Sequence, residues 1–341
     1  METEIRPAHG PPPSRGVMRE RPEDFQVSEV LGFEPSGEGE HAFLHVEKRG
    51  ANTEWVAAGL ARFAGVKRSA VGFAGLKDRN AVTRQHFSVH LPGLPSPDWS
   101  ALELEGVSVL AATRHGRKIQ RGALRGNRFR LVVRELSGKA PALEQRFAAL
   151  AQRGVPNYFG PQRFGRGGEN LDRAGELFDG RLRRPPRHKR SIYLSAARAH
   201  VFNAVLAARV ADGSWLTGLD GEIYRLEGSR AQFGPEDRSA ELAQRLERLD
   251  IHPTGPLWGR GALPTAGECS DLESRIAAEL ADLCQGLERF GLKQDRRALR
   301  VRLGEPSLEM VGDTATFTFT LPAGAYATVV MRELVEEAAA E

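Results

Sequence analysis

Near the far end of a chain of 341 residues, Thr314-Ala315-Thr316-Phe317-Thr318-Phe319-Thr320-Leu321 alternates without a break. Threonines fall on one side, and Ala315, Phe317, Phe319 and Leu321 on the other. Alternation of period two is the pattern of a half-buried β-strand. A single strand needs a sheet to join, and the residues just before this one carry mostly helical signals. The sheet is expected to come from the other end of the sequence, with two separate domains in series as the alternative. The expected fold is therefore a strand-rich domain interrupted by a helical one.

The first part of the chain supplies such a sheet. Along Arg128-Phe129-Arg130-Leu131-Val132-Val133-Arg134, Phe129, Leu131 and Val133 share one face, with Arg128, Arg130 and Arg134 on the other. His86-Phe87-Ser88-Val89-His90-Leu91 alternates likewise. Asn52 or Thr53 can cap a helix with a Val56, Leu60 and Phe63 stripe that stops at Gly65. From about residue 153 the pattern turns helical. One helix is expected from an Asn170 cap to Gly180, and a long one after Ser195 carrying Val201, Val205 and Leu206. Another opens on the S-x-x-E pattern of Ser270 and Glu273, with Leu272, Ile276, Leu280, Leu283 and Leu287 as its stripe. Pro253, Gly255, Pro256, Gly259, Gly261 and Pro264 predict a long loop before it. Past the terminal strand, Pro322-Ala323-Gly324 turns into a last helix bearing Tyr326, Val329, Val330 and Leu334. The resulting expectation is an α+β chain, with residues 1–152 and 303–341 forming one domain and 153–302 an insertion.

Charge adds a partner. Hydrophobic content of 40%, a formal net charge of +4 and a pI near 9.2 describe an ordinary, mildly basic globular chain. The distribution says more. Arg114, Arg117, Lys118, Arg121, Arg125 and Arg128 form one cluster, and Arg181, Arg183, Arg184, Arg187, Lys189 and Arg190 a second, neither with an acidic residue inside it. Cations without interleaved acids suit a phosphate track, where each releases condensed counterions. Cys269 and Cys284 make no framework of disulfides and no metal-ligand spacing, as expected of a reducing compartment. METEIRPAHGPPPSRG has no apolar signal core and is expected to be a flexible leader. No run approaches the ~18 apolar residues of a membrane span. Cytoplasm is the expected location.

The chemistry concentrates in Gly72-Phe73-Ala74-Gly75-Leu76-Lys77-Asp78-Arg79-Asn80-Ala81-Val82-Thr83-Arg84-Gln85. A short apolar strand ends in glycine, and a carboxylate follows between two cations that favour its ionised form. Such a carboxylate can act as nucleophile or base. This segment resembles the signature of the TruD family of pseudouridine synthases, AGxKD-x-x-A-V-T-x-Q. Four further segments are similar to the family's, in its order: Arg21-Pro22-Glu23-Asp24-Phe25, Gly126-Asn127-Arg128-Phe129, Val155 to Gly165 (VPNYFGPQRFG), and Leu321-Pro322-Ala323-Gly324-Ala325-Tyr326-Ala327-Thr328 with Arg332-Glu333-Leu334.

The resemblance implies a pseudouridine-synthase core on a mixed, largely antiparallel sheet, interrupted by a family-specific inserted domain. It implies isomerisation of uridine in tRNA, typically at position 13, without metal or cofactor, by a chain expected to be a monomer. Asp78 matches the catalytic aspartate. Phe25 and Asn127 match substrate contacts, Phe129 the aromatic that stacks on the target base, and Tyr326 a pocket aromatic that is often phenylalanine. The basic partner of Asp78 is expected to be Arg19, with Arg21 and Lys77 as rivals, and Lys77 is also a candidate substrate contact. The histidines form no metal-ligand set, and Gly165-Arg166-Gly167-Gly168 lacks the strand and helix of a nucleotide loop. The competing expectation is a non-catalytic RNA-binding protein on the same fold.

Overall fold

The computed structural model describes residues 5–338, so residues 1–4 of the expected leader lie outside the described residues. The chain divides into two compact units. One holds Ser14–Ala140, Gly304–Gly324 and residues 336–338. The other holds residues 5–13, Pro141–Leu303 and Ala325–Val335.

In chain order the first unit contributes β1 (Ser14–Met18), β2 (Phe25–Leu31), β3 (His41–Arg49), helix α1 (Thr53–Phe63), β4 (Val71–Phe73), β5 (Val82–His90), β6 (Val107–His115) and β7 (Leu124–Gly138). The second follows with α2 (Ala140–Arg153), β8 (Val155–Pro156), α3 (Glu169–Phe178), α4 (Arg187–Ala211), α5 (Ser214–Thr217), β9 (Glu222–Leu226), β10 (Gln232–Glu236), α6 (Ala240–Glu247) and β11 (Ile251–Leu257). It continues through α7 (Gly267–Glu279), α8 (Ala281–Arg289), β12 (Asp295–Ala298) and β13 (Arg300–Val301). The chain then returns to the first sheet with β14 (Gly304–Val311) and β15 (Thr314–Pro322), adds α9 (Ala327–Arg332) to the second unit, and ends the described part with β16 (Val335–Glu337).

The first unit's sheet runs β14-β15-β7-β2-β5-β3-β6. Its one parallel pair on this path is β2 with β5, and the other neighbours are antiparallel. The fold is thus α+β with a mixed, largely antiparallel sheet. The C-terminal strand joins it as the alternation requires. Ala315, Phe317, Phe319 and Leu321 are fully buried, and Phe317 and Phe319 lie opposite Leu131 and Phe129 of β7. Under α1, Val56 and Leu60 pack on Leu44, Val46, Phe87 and Val89 of β3 and β5.

Two irregularities of this sheet matter for the site. First, β1 and β2 both pair with the same long strand β7, β1 from Val133 to Gly138 and β2 from Leu124 to Leu131. Residues 19–24 loop out between them. Second, β5 changes partner along one edge: Val82, Thr83 and Arg84 pair with β2, whereas Phe87, Ser88 and Val89 pair with β4. The sheet splits there, and the β4–β5 loop that carries Asp78 leaves from the split.

Several expected boundaries in the second unit move, each for a physical reason. The long helix α4 starts at Arg187, well before Ser195, because Pro186 sits at its N-cap where a missing N–H costs nothing. Ser195 lies inside the helix and accepts from Arg163. Helix α3 starts at Glu169 after Gly168, and Asn170 in its first turn donates back to the Arg163 carbonyl. Ser270-x-x-Glu273 is no capping box. Helix α7 begins at Gly267, and the Glu273 carboxylate is buried against Arg296 at 2.6 Å and accepts from Thr265. The single helix expected from Leu272 to Leu287 breaks at Leu280. The predicted loop at Pro253–Pro256 is instead the buried strand β11, whose first half pairs with β9 and second half with β12. The leader is also tied down where described: Ala8 and His9 N–H groups donate to the Glu333 carboxylate at 2.8 and 3.3 Å. Among the described residues no helix is long and apolar enough to cross a membrane.

Candidate active site

The loop-out between β1 and β2 brings up the first site residue. Arg19 adopts φ +60°, a left-handed conformation costly for a side chain other than glycine. The loop-out is pinned by Asp24, nearly fully buried, which accepts from Arg134 of β7 at 2.7 Å and from the Arg21 N–H at 3.0 Å. The order of Pro22-Glu23-Asp24-Phe25 is thus explained mechanically: Asp24 holds the loop-out, and Phe25 starts β2. The Arg19 guanidinium lies 4.1 Å above the Phe25 ring and its Nη1 stands 3.6 Å from Asp78 Oδ2. Of the three candidate cations, this one faces the Asp78 carboxylate. Arg21 pairs with Glu20 at 3.8 Å, and Lys77 pairs with Glu29 at 2.7 Å.

Asp78 itself is half-exposed, its side chain 52% accessible, while its main chain is held from several sides. The Lys48 ammonium, buried beneath the loop, donates to the Asp78 carbonyl at 2.8 Å and to the Ala51 carbonyl at 2.7 Å. Thr53 Oγ1 accepts the Lys77 N–H at 3.0 Å and donates to Gln85 Oε1, and Gln85 Nε2 donates to the Gly75 carbonyl at 2.6 Å. Thr53, a capping candidate by sequence, spends its hydroxyl on the loop instead. Burial pushes the Lys48 amine down to about 8, against the pull of Asp78.

Glu29 sits at the split in the sheet with its carboxylate fully buried. One oxygen pairs with Lys77, and the other accepts the His86 N–H at 2.8 Å. Burial acts to raise its pKa, but the contacts with His86 and Lys77 prevail, and the carboxyl is held below its ordinary value. Directly opposite Glu29 on β7 lies Asn127, whose Oδ1 is buried without a hydrogen-bond partner among the described residues. Two positions along, Phe129 is 7% exposed and packs between Phe25 (6.3 Å between centroids) and Phe319 (5.8 Å).

Asp78, Arg19, Phe25, Lys77, Asn127 and Phe129 therefore all belong to the first unit. Tyr326 does not. It lies in the second, where its hydroxyl accepts from Arg163 Nε and Nη2 at 3.0 and 2.8 Å and its ring meets Phe159 edge-on. The VPNYFGPQRFG segment is held there by Asn203, which bonds the Phe159 N–H and carbonyl at 2.9 and 3.0 Å. Among the described residues no group of three His, Cys, Asp or Glu is placed to hold a metal ion. His41 stacks on His90 and His45 on His86, each with centroids 4.6 Å apart.

Glu29, Lys48, Thr53 and Gln85 were not singled out as site residues by sequence. A signal for two of them was present. Lys48 follows Ala42, Leu44 and Val46 on the buried face of β3, and Glu29 follows Phe25 and Val27 on that of β2. A charge at the inward end of an apolar alternation has to be paired or hydrogen-bonded.

A half-exposed carboxylate on a clamped loop faces a guanidinium that lies over the Phe25 ring, and such a carboxylate can act as nucleophile or base. A family model described as tRNA pseudouridine synthase D (TruD) matches residues 8–181 and 169–334, and the chain belongs to that family. It is 54% identical over 332 residues to the tRNA pseudouridine synthase D of Methylococcus capsulatus, covering 96% of this chain and 93% of that one. It is 49% identical over 350 residues to that of Xanthomonas axonopodis pv. citri, covering 98% and 95%. In fold it is similar to a crystal structure of a TruD protein from Methanosarcina mazei, with a TM-score of 0.70 at 23% identity over 94% of this chain and 93% of the other.

Proposed function

We propose that this protein converts uridine to pseudouridine in tRNA, at position 13, with Asp78 as the nucleophile and Arg19 as its basic partner. The reaction breaks the N1–C1′ bond, turns the base and joins C5 to C1′, so N1 gains a proton and C5 loses one. A carboxylate suits it because it can attack carbon or take a proton and then leave. The observation that carries this reading is the Arg19–Asp78 pair: the carboxylate reaches solvent while Lys48 fixes the backbone that bears it. Asn127 supplies a buried amide oxygen in want of a donor, as a uracil N–H is. Phe25 and Phe129 complete the uridine side of the site in this reading. The target base has to leave its stack to reach them. The discontinuous sheet unit is the catalytic domain in this reading, and the helical unit is the insertion that helps hold RNA. The protein works as a cytoplasmic monomer without metal or small-molecule cofactor.

The test is Asp78→Asn assayed on unmodified tRNA, with pseudouridine mapped by chemical labelling. Loss of product at position 13 with tRNA binding kept supports the assignment. Turnover by a folded Asp78→Asn protein defeats it. A wild-type protein that binds tRNA and forms no pseudouridine points to a binding protein on this fold.

A further inference from the structure

We propose that Glu29 is a positioning residue of the catalytic loop, acting through Lys77; this rests on the reading of Asp78 as the nucleophile. Glu29 stands where β5 gives up β2 and takes β4, after Ser28↔Arg84 and before Phe73↔Phe87. At such a split the strand's N–H groups lose their ladder acceptors, and a buried donor left unpaired is costly. The Glu29 carboxylate takes the place of the missing strand, accepting the His86 N–H at 2.8 Å. Its second oxygen holds the Lys77 ammonium at 2.7 Å. Lys77 is the residue before Asp78, and its own N–H is bonded to Thr53, so both its side chain and its main chain are fixed.

Strand β2 consequently registers both flanks of the nucleophile. Phe25 supports Arg19 from one end of the strand, and Glu29, four residues on along the same buried face, fixes Lys77 from the other. The span between them is about 13 Å at the usual rise of a strand. Asp78 lies between these two anchors. Sequence places Lys77 as a substrate contact or as the partner of Asp78, whereas its geometry makes it the link from loop to sheet.

The experiment compares Glu29→Gln, Lys77→Met and the double variant, reading kcat and KM on unmodified tRNA transcript, with thermal melts on each. Glu29→Gln keeps an acceptor for His86 and replaces the oxygen that faces Lys77 by an uncharged NH2 donor. Each single change is expected to lower kcat about 10- to 100-fold, the scale of a small misplacement of a reacting group, with KM within about threefold. The double variant is expected to be no slower than the slower single one, since the two residues act as a unit. Wild-type kcat in Glu29→Gln, or losses that multiply in the double variant, overturns the proposal. Should Glu29→Gln melt below the assay temperature, Lys77→Met decides, and a wild-type kcat there overturns it equally. Asp78→Asn run alongside separates the two failures. If Asp78→Asn is active, the nucleophile reading is wrong, while an inactive Asp78→Asn beside a fully active Glu29→Gln refutes the Glu29 proposal alone.

Discussion

Arg19 Nη1 and Asp78 Oδ2 face each other at 3.6 Å, with the guanidinium 4.1 Å over the centroid of the Phe25 ring. Both side chains are partly solvent-exposed, at 35% and 52%. An ion pair so exposed is worth at most about 1 kcal/mol to stability. The left-handed backbone at Arg19 costs about 1–3 kcal/mol. The ion pair alone does not offset that backbone cost.

Replacing Arg19 by alanine is therefore expected to leave the melting temperature within about 3 °C, since a surface change shifts stability by roughly 0.5 kcal/mol. Single-turnover isomerisation at saturating tRNA should slow about 10- to 100-fold, the scale of a small misplacement of a reacting group. Arg19→Lys keeps the charge but not the planar stack on Phe25 and should fall between the two. A wild-type rate in Arg19→Ala removes Arg19 from the mechanism.

Phe129 sets a different trap for mutagenesis. Packed between Phe25 and Phe319 and 7% exposed, it serves the core as well as any base it stacks on. Phe129→Ala is expected to cost about 3–5 kcal/mol in stability, which will depress activity whatever the ring does in catalysis. Phe129→Leu holds most of the volume for less than about 1.5 kcal/mol. If the ring stacks on the uridine, worth about 1–3 kcal/mol, Phe129→Leu should turn over roughly tenfold more slowly while melting nearly as wild type. Equal rates make Phe129 a core residue only.

The sequence was most legible where one periodicity met one environment. The Thr314–Leu321 alternation placed β15 in a sheet built at the other end of the chain, and β15 pairs with β7 there. Alternation along Phe129, Leu131 and Val133 gave the buried face of β7. What escaped were side chains whose partners are distant in sequence. Ser270 and Glu273 read as a cap because local spacing cannot show Arg296, which takes Glu273 into the core. Pro253 and Pro256 read as a loop because a buried strand with prolines differs from one only through its neighbours. Within the candidate site, Asp78 was singled out from its signature. Glu29 and Lys48 were not, because their purpose depends on a sheet that splits at β5, and no local pattern encodes that split.

Lys48 gives a pH signature. Its amine is held down to about 8, chiefly by burial, whereas an unfolded lysine titrates near 10.4. Between these values the unfolded chain binds more protons than the folded one, so the Lys48 contribution to stability rises with pH across that window. Below about pH 8 both states are protonated and the full cost of the buried charge is felt. Comparing unfolding free energies of wild type and Lys48→Met at pH 7, 8, 9 and 10, the difference should shift in favour of wild type by up to about 3 kcal/mol. A difference flat with pH shows that Lys48 titrates as an ordinary lysine.

The last prediction concerns the second basic cluster. Arg183, Arg184 and Arg187 are exposed, and Arg187 opens α4, whose first turn carries no acidic residue. Cations at a helix N-terminus oppose its dipole by about 0.3–1 kcal/mol each, a cost that an anionic partner reverses. Arg181, by contrast, is already paired with Asp179 at 2.8 Å. If Arg183, Arg184 and Arg187 grip phosphates, changing all three to alanine weakens tRNA binding and flattens its salt dependence, each lost contact lowering the slope by about 1 or slightly less. The catalytic rate at saturating tRNA should stay near wild type, because none of the three is expected to touch the reacting uridine. Filter binding across a salt series, paired with single-turnover kinetics, separates these effects. Unchanged binding at every salt concentration makes the cluster a solvated surface, and a lowered saturating rate would mean that these arginines act on the reacting nucleotide after all.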